Sequence, residues 1–142
     1  MQLTRFSDYG LRLMMMAAAN SDRRITIEET ARAYDISRAH LMKVAQLLVH
    51  KGFLKGSRGR TGGLSLARPA ETITIGELVR ATETDFAVVE CMGPGNQCRI
   101  TPACRLRGVL GEALAAFLQV LDRHTLADLA LRPEDFGFPR AA

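Results

Sequence analysis

TIEETARAYDISRAHLMKVAQLLVH, residues 26–50, is the stretch on which the fold turns. Thr26 followed three residues later by Glu29 forms a capping box, in which hydroxyl and carboxylate each satisfy a backbone N–H that a helix start leaves unpaired. The helix it opens is short. It breaks at Tyr34-Asp35-Ile36, and Ser37 then caps a second helix that reaches His50 and stops at Lys51-Gly52. Two helices joined by so brief a turn read as helix-turn-helix. On a helical wheel Leu41, Val44, Ala45 and Leu48 face inward, while Ala39, Met42, Lys43 and Gln46 point the opposite way with Arg38 and His40 beside them. A helix with such a polar face fits the DNA major groove, where Arg and Lys suit guanine edges and Gln suits adenine.

Working outward, Ser7 is expected to cap a helix running to about Asn20 on the N-terminal side. On the other side, Phe53–Ser57 and Leu64–Ala67 alternate as short strands around Arg58-Gly59-Arg60-Thr61-Gly62-Gly63, the pattern of a β-wing. Arg58 and Arg60 at its tip would follow the DNA backbone or enter a minor groove. Thr74 with Glu77 opens a further helix. Gly93-Pro94-Gly95-Asn96 then forces a loop, and Thr101-Pro102 reads as the start of a long helix to about Arg123, with Cys104 in its first turn. That helix carries two apolar stripes, Leu106, Leu110, Ala113, Phe117, Val120 and Val109, Leu114, Leu118, Leu121. So wide a surface needs its own domain on one side and a symmetry mate on the other, or else complete burial within one chain. Thr125 and Asp128 are placed to cap a short terminal helix before Pro133, and no internal repeat is apparent.

Composition bounds the function. The chain has 142 residues, 47% apolar and 24% charged, a globular composition that excludes disorder and fibrous repeats. The longest apolar run, Leu13–Ala19, is too short to cross a bilayer, and Asp8, Tyr9 and Arg12 upstream make it a poor signal peptide, so the cytoplasm is expected. The net charge of +4 is unevenly spread. Residues 1–70 carry twelve Lys or Arg against five Asp or Glu, whereas residues 71–142 carry seven against ten. A basic half suggests a polyanion partner, nucleic acid first, although each basic residue taken singly reads as a solvated charge.

Three cysteines, Cys91, Cys98 and Cys104, fall within fourteen residues. An odd number in a reducing compartment points away from a disulfide framework and toward metal ligation or redox chemistry. Zinc sites use short C-x2-4-C knuckles and four ligands, neither of which this C-x6-C-x5-C run offers. Wider spacing on a loop and a helix start suits a larger object such as an iron-sulfur cluster, with Arg99 and Arg105 adding positive charge beside the thiols. A thiol redox enzyme or electron carrier is the competing class, and the missing C-x-x-C pair argues against it.

Three segments, MQLTRFSDYGLR at residues 1–12, RGRTGGL at 58–64 and CRITPACRL at 98–106, resemble the winged-helix iron-sulfur regulators that include IscR, and within them the nitric-oxide-sensing repressors. The similarity extends over nearly the whole chain. It implies a homodimeric repressor of operator DNA in which Cys91, Cys98 and Cys104 hold a cluster near the dimer interface, [4Fe-4S] in that branch and [2Fe-2S] as the alternative. The family's acidic residue in the first helix matches Asp8 and would supply the fourth ligand from the partner subunit. IscR-like members place a histidine three residues after the last cysteine; Arg107 stands there, which favours the nitric-oxide branch and leaves Glu90, His124 or a small exogenous ligand as further candidates. Asp8 also lies four residues before Arg12, the spacing of an ordinary helical ion pair. The resemblance further implies that nitric oxide breaks up the cluster and releases the DNA, with nitric oxide detoxification genes as targets. A regulator sensing cluster supply or redox state is the alternative.

The expected architecture is therefore mainly α, a winged helix-turn-helix DNA-binding domain with a two-stranded β-wing over residues 1–82, a cluster-binding loop over 83–103, and a dimerisation helix with a tail over 104–142. The expected activity is regulatory, not enzymatic.

Overall fold

The computed structural model describes residues 1–137, so the last five residues of the expected third segment lie outside the described residues. The described residues form five α-helices and one hairpin: α1 (Arg5–Ala19), α2 (Ile27–Tyr34), α3 (Arg38–His50), β1 (Leu54–Ser57), β2 (Gly63–Leu66), α4 (Ile75–Thr82) and α5 (Leu106–Asp122). Short 3-10 turns fill the connections.

Both capping boxes form as the sequence dictates. Thr26 accepts from the Glu29 N–H while the Glu29 carboxylate accepts from the Thr26 N–H, and Thr74 and Glu77 do the same. Asp35 ends α2 in the left-handed conformation at φ 53°, which swings the chain so that Ser37 can cap α3. At α1 the expectation needs correction. The cap is Thr4, whose hydroxyl accepts from the Ser7 N–H, and Ser7 is wholly buried inside the helix. Thr4 holds the position because its own N–H and hydroxyl both donate to the Glu83 carboxylate, at 2.7 and 3.0 Å.

The core gathers Leu13, Met14 and Met16 of α1, Val44 and Leu48 of α3, Leu54 and Leu64 of the hairpin, and Leu78 and Val79 of α4. Leu126, beyond α5, is 1% exposed in the same core, so the chain after the long helix returns to the N-terminal elements. An isolated bridge between Thr74 and Thr125 and a hydrogen bond from the Leu126 N–H to the Ile73 carbonyl fix that return. The Arg80 guanidinium also clasps the Asp122 carboxylate through two hydrogen bonds. This clasp is possible because residue 76 is glycine: a Cβ there would stand 1.8 Å from the Asp122 Oδ1.

A candidate nucleic-acid interface and a cysteine segment

α3 presents the two faces that its periodicity predicts. Leu41, Val44, Ala45 and Leu48 are buried, whereas Arg38, Ala39, His40, Met42, Lys43 and Gln46 are exposed. Arg38 is not free, since its guanidinium pairs with Glu28 of α2 at 3.0 Å. His40 lies near the Tyr9 ring, with centroids 6.3 Å apart. Lys43, Arg58 and Arg60 make no ion pair among the described residues, which leaves three cations unneutralised on α3 and the wing.

β1 and β2 pair antiparallel from Leu54 opposite Leu66 to Ser57 opposite Gly63, one residue shorter at the hairpin base than the alternation suggests. Two contacts hold the wing that sequence reasoning missed. Ile25 and Leu64 exchange hydrogen bonds of 2.9 and 2.7 Å, so the segment between α1 and α2 adds a single antiparallel bridge to the outer edge of β2. Arg24 donates to the Thr61 carbonyl at 3.2 Å, pinning the loop that carries Arg58 and Arg60. Long-range backbone pairing of this kind has no local sequence signal. The close approach shows in glycine, since a Cβ on Gly63, at φ 154°, would meet the Ile25 carbonyl oxygen at 2.6 Å.

Asp8 lies in the first turn of α1, half exposed, with its carboxylate on the Arg12 guanidinium at 2.9 Å, the i,i+4 pair. That contact, ahead of burial, holds Arg12 more firmly in its charged form. Arg12 in turn lies over the Tyr34 ring at 5.6 Å, and the Tyr34 hydroxyl donates to the Arg12 carbonyl at 3.0 Å. Burial pushes the Tyr34 hydroxyl up to about 12. Glu83, which no motif singled out, anchors the start of the helix bearing Asp8 and itself opens the segment leading to the cysteines.

All three cysteines are free thiols; Cys91 and Cys104 are partly buried and Cys98 is exposed. Side chains organise the segment around them. Glu90 accepts from the Gln97 N–H, Asn96 accepts from the Cys98 N–H, and the Thr101 hydroxyl donates to the Cys98 carbonyl at 2.8 Å. Here the reading of Cys104 is corrected. Thr101–Ala103 is a separate 3-10 turn, Cys104 has extended backbone angles of φ −81° and ψ 114°, and α5 begins only at Leu106. The physical reason is that Thr101 spends its hydroxyl on the Cys98 loop, so it caps no helix, and Arg105 at the N-cap has no side-chain hydrogen bond.

Among the described residues no three His, Cys, Asp or Glu side chains are gathered closely enough to hold a metal ion. Three soft thiol donors on one loop, none tied up in a disulfide, still match in chemistry what an iron-sulfur cluster requires. Of the other ligand candidates, Glu90 is engaged by Gln97, and His124 sits beside Ile75 at the opposite end of α4 from the cysteine segment.

No residue of α5 is buried. Leu118 and Leu121 pack against the core, and Leu114 and Phe117 line a cavity of about 280 Å³ with Met1, Leu3 and Phe86. Leu106, Val109, Ala113, Ala116 and Val120 form the exposed seam, at steps of three, four, three and four. The two stripes are thus sorted differently from the expectation, with Leu110 and Phe117 on the shoulder between them.

A helix-turn-helix joined to a two-stranded wing, with free cations on both, defines a winged-helix DNA-binding regulator. The profile of the Rrf2 family, described as iron-dependent transcriptional regulators, matches residues 3–132. The chain belongs to the Rrf2 family. It is similar to the HTH-type transcriptional regulator NsrR of Geobacillus kaustophilus (strain HTA426), 48% identical over 132 residues that cover 91% of this chain and 89% of that protein. The protein of the same name from Bacillus subtilis (strain 168) is 46% identical over 137 residues, covering 95% and 94%. The solved structure of T. potens IscR shares the fold at a TM-score of 0.72 and 24% identity, over 91% of this chain and 85% of that one. The chain is accordingly a transcriptional regulator and not an enzyme. No helix among the described residues is long and apolar enough to cross a membrane.

Proposed function

We propose that the protein is a nitric-oxide-responsive repressor that binds operator DNA as a homodimer in the cytoplasm, with residues 1–82 reading DNA, 83–103 holding an iron-sulfur cluster and 104–142 carrying the dimer contact. The observation that carries this reading is three free thiols, Cys91, Cys98 and Cys104, within fourteen residues of a chain 44–48% identical to NsrR regulators. Arg38, His40, Lys43 and Gln46 enter the major groove, and Arg58 and Arg60 meet the flanking backbone. Each cation brought to the polyanion releases counterions, so Lys43→Ala and Arg60→Ala each weaken binding and reduce its salt dependence, Arg60→Ala, as the phosphate contact, by about one in the slope.

Cys91, Cys98 and Cys104 would hold a cluster of the [4Fe-4S] type, with [2Fe-2S] as the other form, and Asp8 of the other subunit, released from Arg12, would complete the ligand set. When bound, the cluster would supply an iron open to nitric oxide. Without that group Asp8 would pair with Arg12 and the segment from Cys91 to Cys98 would relax, changing the spacing of two reading helices that must match half-sites one helical turn apart. The exposed α5 seam supports the dimer, since a three-four repeat of apolar residues is the pattern of paired helices.

The test is iron and sulfide analysis of protein purified without oxygen, with absorption spectra and DNA affinity before and after nitric oxide. Four irons per chain, a visible band bleached by the gas and a parallel loss of affinity are expected; Asp8→Ala shifts the band and speeds cluster loss. Colourless protein that binds DNA equally well with and without the gas overturns the reading. Release by oxidation alone, with no response to the gas, assigns the protein instead to redox or cluster-supply sensing.

A further inference from the structure

The exposed face of α3 contains one large apolar side chain among its polar ones. Met42 is 48% exposed, next to Lys43 and one turn from both Arg38 and Gln46. Apart from Val49 near the distal end of the same helix, the other large apolar side chains this exposed lie on α5, in the segment around the cysteines, and at the two ends of the described chain. Met42 is no part of the core, whose α3 side is filled by Leu41, Val44, Ala45 and Leu48. Met42 lines a groove with Ile27, Ala45, Val49 and Leu64, and nearly half of it remains uncovered.

The surrounding charge specifies what covers it. Lys43 on the same face and Arg58 and Arg60 on the wing make no ion pair among the described residues, so the complementary surface is a polyanion. In the major groove of DNA the apolar group on a base edge is the 5-methyl of thymine. A methionine, unbranched and polarizable, adapts to such a group where a β-branched side chain does not. Gln46, four residues on, has the donor and acceptor pair that matches adenine.

We propose that Met42 is a specificity-determining residue that selects thymine in each half-site by covering its 5-methyl group, so that with Gln46 it favours an A·T-containing step. The inference rests on α3 being the reading helix, as argued above.

Deoxyuridine provides the test, because it removes the methyl and leaves the hydrogen-bonding edge intact. The full-length chain, prepared without oxygen, selects a duplex from a randomised pool, and each thymine of that duplex is then replaced singly and in symmetry-related pairs. Wild-type protein loses about fourfold affinity at one thymine per half-site, the worth of one methyl taken from water, and about 15-fold when both are replaced. Met42→Ala binds the thymine duplex about as weakly as wild type binds the uracil duplex and loses nothing more on replacement. Met42→Leu, which keeps the apolar bulk, retains the sensitivity. If Met42→Ala keeps the wild-type uracil profile, or if no thymine methyl affects wild-type binding, the proposal is overturned. If Lys43→Ala and Gln46→Ala also bind as wild type does, the failure lies instead in the assignment of α3 as the reading helix.

Discussion

Tyr34, at the end of α2, ties that helix to α1 and to the last described turn. Its hydroxyl holds the Arg12 carbonyl, its ring carries the Arg12 guanidinium, and Phe136 meets it edge-on with centroids 5.8 Å apart. Because burial raises its folded pKa to about 12, its contribution is complete below the unfolded value near 10 and is lost as pH rises from about 10 to about 12. Tyr34→Phe should cost about 1 kcal/mol at neutral pH, the worth of one hydrogen bond, and flatten that alkaline decline; urea titrations at several pH values measure both. Gly76→Ala is expected to cost roughly 1–3 kcal/mol, since the new methyl occupies the place of the Asp122 carboxylate and the clasp with Arg80 must open. Combining it with Asp122→Ala tests the cause, because the double variant should lose less than the two single losses added together.

At the scale of elements, α5 separates a surface that serves one chain from a surface left uncovered. Val109→Glu places a charge in the exposed seam without touching the core, so it should yield folded monomers by light scattering, with unchanged helical content by circular dichroism. A monomer reads only one half-site, and its affinity for a two-half-site duplex should fall at least 100-fold. Element boundaries were legible wherever a side chain announced them. Thr26 with Glu29, Ser37, and Thr74 with Glu77 each cap a helix from within three residues, and each forms as read. The errors came where a residue of the capping type found a partner distant in sequence or outside the helix. Glu83, 79 positions away, claims Thr4 as the cap in place of Ser7, and the Cys98 carbonyl claims Thr101 and leaves Cys104 outside α5. The polar face of α3 was legible because burial follows the helical period, whereas the Arg24 and Ile25 contacts with the wing were not, since backbone pairing leaves no mark on residue type.

Across the whole molecule, carboxylates at helix ends and clasps bind the fold to pH. Glu77 lies below its usual range, chiefly because its carboxylate accepts the Thr74 N–H; Asp122 does so through Arg80, and Asp128 through the Thr125 N–H. Glu29 is pushed up by burial, but the Thr26 N–H and Arg23 outweigh this and leave it lowered. All four bind a proton less readily folded than unfolded, so their stabilisation is present above the ordinary carboxylate range and lost as pH falls through it. Thermal midpoints should therefore hold steady above about pH 5 and decline below about pH 4, with Glu77→Gln lowering the plateau and softening the acid decline.

α5 is fastened to the body at its C-terminal end by Asp122, Leu121 and the buried Leu126, while its N-terminal end, beside Cys104, stands exposed and its middle borders a cavity. Seventeen residues make a rod about 25 Å long pivoted at one tip. A tilt of roughly 5° about that fastened tip would carry the far tip through about 2 Å, so under the function proposed above a small displacement at Cys104 would be joined through one rigid rod to the elements that hold Asp122 and Leu126.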